Sequence, residues 1–270
     1  LGASNADSNT AVGHFALQQN TTGSSNTAVG AEALQVNTTG AQCTAIGFRA
    51  LEANTTANYN TAIGSQTLQA TTDGDLNVAI GLQALEANVS GSRNTACGVE
   101  SLQANLASNN TAFGRRALKA NTTGTLQVAV GQGALETVTT SSSNTAVGCN
   151  ALNLNVGQNN TAVGDGALQL NTSASYLTAV GYQAMYNNTT GVRNCALGFE
   201  ALESNQTGGS CTAMGYQALY SNTGDGCSAF GNDALRNNTS GEKNTGLGNE
   251  ALENNTTASF NTAVGHHSLT

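Results

Sequence analysis

Residues 26–42 read NTAVGAEALQVNTTGAQ, and this stretch recurs with small variations along the whole chain. The glycine of the TAVG motif occurs sixteen times, spaced 17 residues apart in twelve steps and 16 in three. That period is shorter than the period of helical-pair or leucine-rich repeats. It matches one turn of a β-solenoid, in which successive coils stack through hydrogen-bonded strands.

The sequence therefore predicts an all-β fold, a single β-solenoid or β-roll domain over residues 1–270 with about 16 coils of 17 or sometimes 16 residues. The three short copies lose a residue in the same segment, for example between Asn105 and Asn110. A segment that tolerates deletion is predicted to be a surface loop.

Strand alternation divides the motif into an inner and an outer face. The residue before the motif glycine is apolar in all copies, and the residue two positions earlier is Thr in twelve, so we predict that both face inward. A Leu four residues after the glycine forms a second predicted core ladder. The small residue between the motif Thr and the apolar residue is then predicted to face outward. The same holds for the Asn that opens the motif.

An outward strip of alanines is explained either by a neighbouring segment of the chain that covers it or by a flat surface for contact with another copy or partner. An ice-facing plane is a third interpretation. The candidate contact residues of the strip are Ala28, Ala45, Ala62, Ala146 and Ala162. Larger side chains that follow the motif glycine are further contact candidates, namely Phe48, Arg115, Arg116, Tyr182, Phe199 and Tyr216.

An Asn lies seven residues after the glycine in thirteen copies and is predicted to bond turn backbone or to form an amide ladder between coils. Ten of these asparagines also open an Asn-x-Ser/Thr sequon and are candidate glycosylation sites. Turn chemistry alone also explains the pattern. The ten are Asn20, Asn37, Asn54, Asn88, Asn121, Asn171, Asn188, Asn205, Asn238 and Asn255.

The residues that could carry chemistry form no pattern typical of a catalytic site. Charged residues are only 9% of the chain and the net charge is −8, which argues against nucleic acid as a partner. No apolar run is long enough for membrane insertion. The six cysteines form no CxxC pair, and no motif of a metal, cofactor or catalytic site occurs, so we expect no enzyme, metal or cofactor. Cys211 and Cys227 hold the same motif position in successive coils and form a candidate disulfide.

The NTAVG core, quoted from residues 26–30 and 144–148, resembles two groups of repeats. One is the Asn-Ser-Val-Ala-Ile-Gly repeat of trimeric autotransporter adhesin heads. The other, closer in period and in its A-L-x-x-N-T-T-G half, is the repeat of phage tail fibres and bacterial surface fibres. The resemblance implies left-handed coils that associate as trimers.

We therefore expect a non-catalytic structural rod of an extracellular, cell-surface or virion fibre, which acts as a spacer and adhesion surface. Its partners would be further copies of itself, as trimers or head-to-tail filaments, and a cell-surface glycan or receptor. One alternative is an ice-binding solenoid, which needs an exposed array of Thr. Another is the β-helical scaffold of a glycan-active tail protein, for which no paired carboxylates are identified.

Overall fold

The computed structural model describes residues 6–270, and over this range the chain is all-β, with sixteen three-residue strands and no helix. It divides into two compact units, Leu1–Thr140 and Ser141–Thr270. The first contains β1 (Thr10–Val12), β2 (Thr27–Val29), β3 (Thr44–Ile46), β4 (Thr61–Ile63), β5 (Val78–Ile80), β6 (Thr95–Cys97), β7 (Thr111–Phe113) and β8 (Val128–Val130). The second contains β9 (Thr145–Val147), β10 (Thr161–Val163), β11 (Thr178–Val180), β12 (Cys195–Leu197), β13 (Thr212–Met214), β14 (Ser228–Phe230), β15 (Thr245–Leu247) and β16 (Thr262–Val264).

Within each unit every strand pairs in parallel with the strand of the next coil, and identical motif positions face each other. Ala28 pairs with Ala45, and Ala45 pairs with Ala62. In the second unit Ala162 pairs with Ala179 in the same way. The predicted β-solenoid with 17-residue spacing is therefore confirmed.

The motif glycine ends each strand because no other residue fits. Gly47 has a φ of +139°, and a Cβ built on it would lie 2.2 Å from the carbonyl oxygen of Gly64 in the next coil. The coils therefore approach each other as closely as backbone contact allows. A side chain at this position would force them apart.

The A-L half of the repeat is neither a strand nor a helical turn. It is a chain of turns in which Leu34 has a left-handed φ of +49°. Its N–H donates to the carbonyl oxygen of Ala50 in the next coil (3.0 Å), and its own carbonyl accepts from Asn37 N–H (3.3 Å). Both bonds offset the steric cost of a left-handed conformation at Leu.

The Leu ladder is buried, as predicted, but the assignment of the strand faces was wrong. From β2 to β14 the alanine at the centre of the strand is fully buried, whereas Ile63 is 37% exposed and Phe113 44% exposed. Only in the terminal strand β1 is the central alanine exposed. The cause is the width of the coil. At Gly246, which replaces the strand alanine in β15, an added Cβ would lie 2.9 Å from the oxygen of Ala251 and 3.3 Å from Cγ of Leu235. In β15 the opposite Leu leaves no room even for a methyl group, and from β2 to β14 the methyl group of the buried alanine fills the space.

Candidate interaction surfaces

The outward side of the strands forms an uncharged surface in each unit, which we call the Thr/Val face and define as the first and third residues of the unit's strands. The first residue is mostly Thr, with Val78 and Val128 as exposed variants, and the third is Val, Ile, Leu, Met, Phe or Cys. No charged residue occupies these positions. Each unit therefore presents two parallel ladders, one rich in hydroxyls and one apolar.

The threonine hydroxyls of this face make no hydrogen bond within the described part of the chain, as seen for Thr27, Thr44 and Thr61. The first threonine of the turn differs, because Thr38 Oγ1 donates to the carbonyl oxygen of Thr55 (2.9 Å). The strand threonines therefore keep their hydroxyls free for water or for another molecule.

The predicted alanine contact strip is wrong. Ala28, Ala45, Ala62, Ala146 and Ala162 are 0% exposed and line the interior of the coils. Sequence reasoning took the constant size of this position as a sign of contact with a partner. The better signal was the neighbouring position, which accepts side chains from Cys to Phe because it faces open space.

The other contact candidates lie on the surface, as their place after the motif glycine predicts. Phe48, Tyr182, Phe199 and Tyr216 are exposed. Arg115 is exposed, whereas Arg116 is tied into an ion-pair group with Glu100 (3.0 Å) and Glu136 (3.7 Å). The guanidinium of Arg49 lies over the Phe48 ring, 5.0 Å from its centroid.

Three of these aromatic residues form a continuous stack in the second unit. The ring centroids of Tyr182 and Phe199 are 5.1 Å apart and those of Phe199 and Tyr216 are 5.3 Å apart, with interplanar angles of 18° and 7°. Since each residue comes from a successive coil, the repeat spacing itself sets the ring spacing. The sequence placed these residues on one surface but did not predict their stacking.

The predicted amide ladder is confirmed in the interior. Asn37 Nδ2 donates to Asn20 Oδ1 (2.8 Å) and to the carbonyl oxygen of Gly40 (2.9 Å), and Asn54 Nδ2 donates to Asn37 Oδ1 (2.6 Å). The ladder is interrupted at Thr71, and for this reason Asn54 Oδ1 has no hydrogen-bond partner.

The same burial contradicts the glycosylation prediction, because a glycan would be attached to an Nδ2 that already bonds inside the coil. Asn255 is only half-buried, but its Nδ2 also donates to Asn238 Oδ1 (2.6 Å). The other candidates are buried, namely Asn20, Asn37, Asn54, Asn88, Asn121, Asn171, Asn188, Asn205 and Asn238.

The Asn that opens the motif also faces inward, contrary to expectation. Asn26 Nδ2 donates to the carbonyl oxygen of Gly40 (2.8 Å), and its Oδ1 accepts the N–H of Cys43 (2.9 Å). Cysteine replaces this Asn in three coils because a thiol can donate to the same kind of carbonyl. Cys211 Sγ donates to Gly224 O (3.3 Å) and Cys227 Sγ to Gly241 O (3.2 Å). Both are free buried thiols in adjacent coils, so the candidate disulfide is not formed.

Burial raises the pKa of the Cys43 thiol to about 11. The folded state therefore holds this proton more tightly than the unfolded state, and Cys43 contributes stability that is lost as pH rises from about 9 through 11. We expect iodoacetamide at about pH 8 to alkylate Cys43 only after unfolding. The half-buried Cys97 and Cys149 are internal controls, to be followed by peptide mass spectrometry. Equal alkylation of Cys43 and Cys97 in the native protein would contradict this prediction.

The chain matches no protein-family model, no curated protein and no solved structure. The fold defines its class, a β-solenoid repeat protein. Residues 6–270 contain no helix that could cross a membrane and no group of three or more His, Cys, Asp or Glu placed to bind a metal ion. The exposed ladders are therefore the features from which a function can be argued.

Proposed function

We propose that this chain is a non-catalytic structural segment of an extracellular, cell-surface or virion fibre, and that copies of it associate through the Thr/Val face. The observation that carries the proposal is the exposed apolar ladder, which includes Ile46, Ile63, Ile80, Leu197 and Met214. The fibre setting rests on the resemblance of the repeat to fibre and adhesin repeats.

The size of the face supports association. Eight strands at a spacing of about 4.8 Å, each about 10 Å long, give roughly 400 Å² of flat surface per unit. This size is comparable to the largest surface patch of a typical soluble monomer, about 300–600 Å², and such patches are often functional. The absence of charge on the face also removes the desolvation cost that burial of an ion would carry.

A charge placed in the middle of the face tests the proposal. We expect the protein to be an oligomer in light scattering and sedimentation, and Ile63→Glu with Ile80→Glu to dissociate it, because burying two carboxylates in an apolar contact is costly. The matched control is Gln42→Glu, which adds a carboxylate at an exposed loop position off the face. A wild-type protein that stays monomeric at high concentration would overturn self-association.

An ice-binding function is the second candidate, and the free strand hydroxyls favour it. Thr10, Thr27, Thr44 and Thr61 stand in register on four successive strands, each beside an aliphatic side chain. Phe113 and Met214 roughen the same face elsewhere and count against it. Self-association would cover the hydroxyls, so the two functions predict opposite results. A monomer with thermal hysteresis supports ice binding, and an oligomer without it supports the fibre segment.

A further inference from the structure

The Tyr182–Phe199–Tyr216 stack is the set of exposed rings that stack on one another, and unlike three other surface rings it carries no cation. Arg49 lies over Phe48 (5.0 Å), Lys243 over Phe260 (5.0 Å) and Arg236 over Tyr220 (5.7 Å). No Lys or Arg of the described chain lies over any ring of the stack. Its three rings are nevertheless 42–47% exposed, and they lie beside the Thr/Val face rather than on it.

Three carboxylates without an ion-pair partner neighbour the stack in sequence or in coil register. Asp165 holds the ladder position next to Tyr182 in the preceding coil, and Glu200 and Glu203 follow Phe199 in the same coil. None of the three pairs with a Lys, Arg or His within residues 6–270. Glu200 accepts from Gln217 Nε2 (2.7 Å), and Glu203 accepts from Asn187 Nδ2 (3.0 Å) and from the Ser204 hydroxyl, so their partners are neutral.

The negative charge of Glu200 and Glu203 acts on the phenol of Tyr220. Burial, and after it the carboxylates of Glu203 and Glu200, raise the pKa of Tyr220. In the first unit the carboxylate that corresponds to Glu200 is neutralised, since Glu100 pairs with Arg116 (3.0 Å) and Lys119 (2.6 Å). The second unit therefore combines exposed rings with carboxylates that form no ion pair, while Arg236 lies over the Tyr220 ring (5.7 Å) and donates to Gln217, the partner of Glu200.

We propose that this aromatic stack, together with Asp165, Glu200 and Glu203, is a docking site for an arginine-bearing apolar segment of a partner polypeptide. The outer face of Tyr182 is the first position of the site, because Asp165 replaces an aromatic residue in the preceding coil and no ring covers that face. A planar guanidinium would extend the stack by one layer there and meet the Asp165 carboxylate.

The charge beside the stack favours a cationic peptide over a neutral sugar. Both faces of Phe199 and the inner faces of the two tyrosines are already covered, so only the outer faces of Tyr182 and Tyr216 remain for stacking on a ligand. Asp165 holds the next ladder position at the Tyr182 end, and carboxylates recognise guanidinium groups through paired hydrogen bonds. This inference does not depend on the Thr/Val face or on self-association.

Fluorescence anisotropy of a labelled peptide of alternating Leu and Arg, titrated with the full chain, tests the proposal. We expect binding that weakens with added salt, and no binding of the matching Leu-Glu peptide. Tyr182→Ala and Asp165→Asn should each weaken binding of the Leu-Arg peptide about tenfold, since each removes one partner of the guanidinium. Both residues are exposed, and circular dichroism checks that the variants remain folded.

The matched control is Phe48→Ala, which removes an aromatic residue at the same repeat position in the first unit, where Arg49 already occupies the ring. This variant should bind the peptide as the wild type does. Equal binding of the Leu-Glu peptide, or unchanged affinity in Tyr182→Ala, would overturn the proposal. A change of oligomeric state in Tyr182→Ala would overturn it as well, since the occupant would then be a second copy.

Discussion

Ala62→Leu is expected to lower the free energy of unfolding by about 3 kcal/mol, at the upper end of the range for overpacked cores. The side chain of Ala62 is fully buried in β4 and points at the Leu ladder across the coil. The equivalent position in β15 leaves 2.9 Å between a built Cβ and the oxygen of Ala251, so three further carbons have no space. Because neighbouring coils stack in register, the coil cannot widen without breaking bonds on both sides.

Thr61→Leu is the matched control, since it introduces the same side chain one residue earlier, on the outward face. We expect a change within about 0.5 kcal/mol, as for other surface substitutions, and the native Val78 and Val128 show that the position accepts aliphatic residues. Chemical denaturation of both variants measures the difference. If Thr61→Leu were the more damaging, the orientation of the strands described above would be wrong.

Asn37→Ala is expected to cost about 2 kcal/mol, because it removes three buried hydrogen bonds and leaves one buried acceptor without a partner. Oδ1 of Asn20 loses its donor, whereas the carbonyl of Gly40 keeps Asn26 Nδ2 and Nδ2 of Asn54 keeps the carbonyl oxygen of Ala57. The unpaired Oδ1 carries a desolvation penalty. Thermal unfolding followed by circular dichroism measures the loss.

Asn254→Ala provides the control, because Asn254 is exposed and its side chain accepts only one long hydrogen bond, from Asn237 (3.3 Å).

The variant Thr71→Asn should stabilise the protein by about 1 kcal/mol, since it would supply the donor that Asn54 Oδ1 lacks. Similar losses in Asn37→Ala and Asn254→Ala would show that the ladder contributes no stability.

Periodicity alone was enough to predict the stacked coils, the Leu ladder and the amide ladder. A fixed length between glycines leaves only one way to bring Leu34 against Leu51 or Asn37 against Asn54, namely in-register stacking. The deletion-tolerant loop followed from the same reasoning. These features depend on the order of residues along one coil and on its repetition.

The orientation of each side chain was decided by the tertiary structure. A three-residue strand such as β4 can face the interior either with Thr61 and Ile63 or with Ala62. The hydrophobicity of Ile63 favoured the orientation with Thr61 and Ile63 inside. The distance across the closed coil excludes it, because Leu from the opposite side leaves room for a single methyl group. The sequence by itself determined the repeat and its ladders, whereas the coil width determined that the alanines and asparagines lie inside and that the apolar Thr/Val face lies outside.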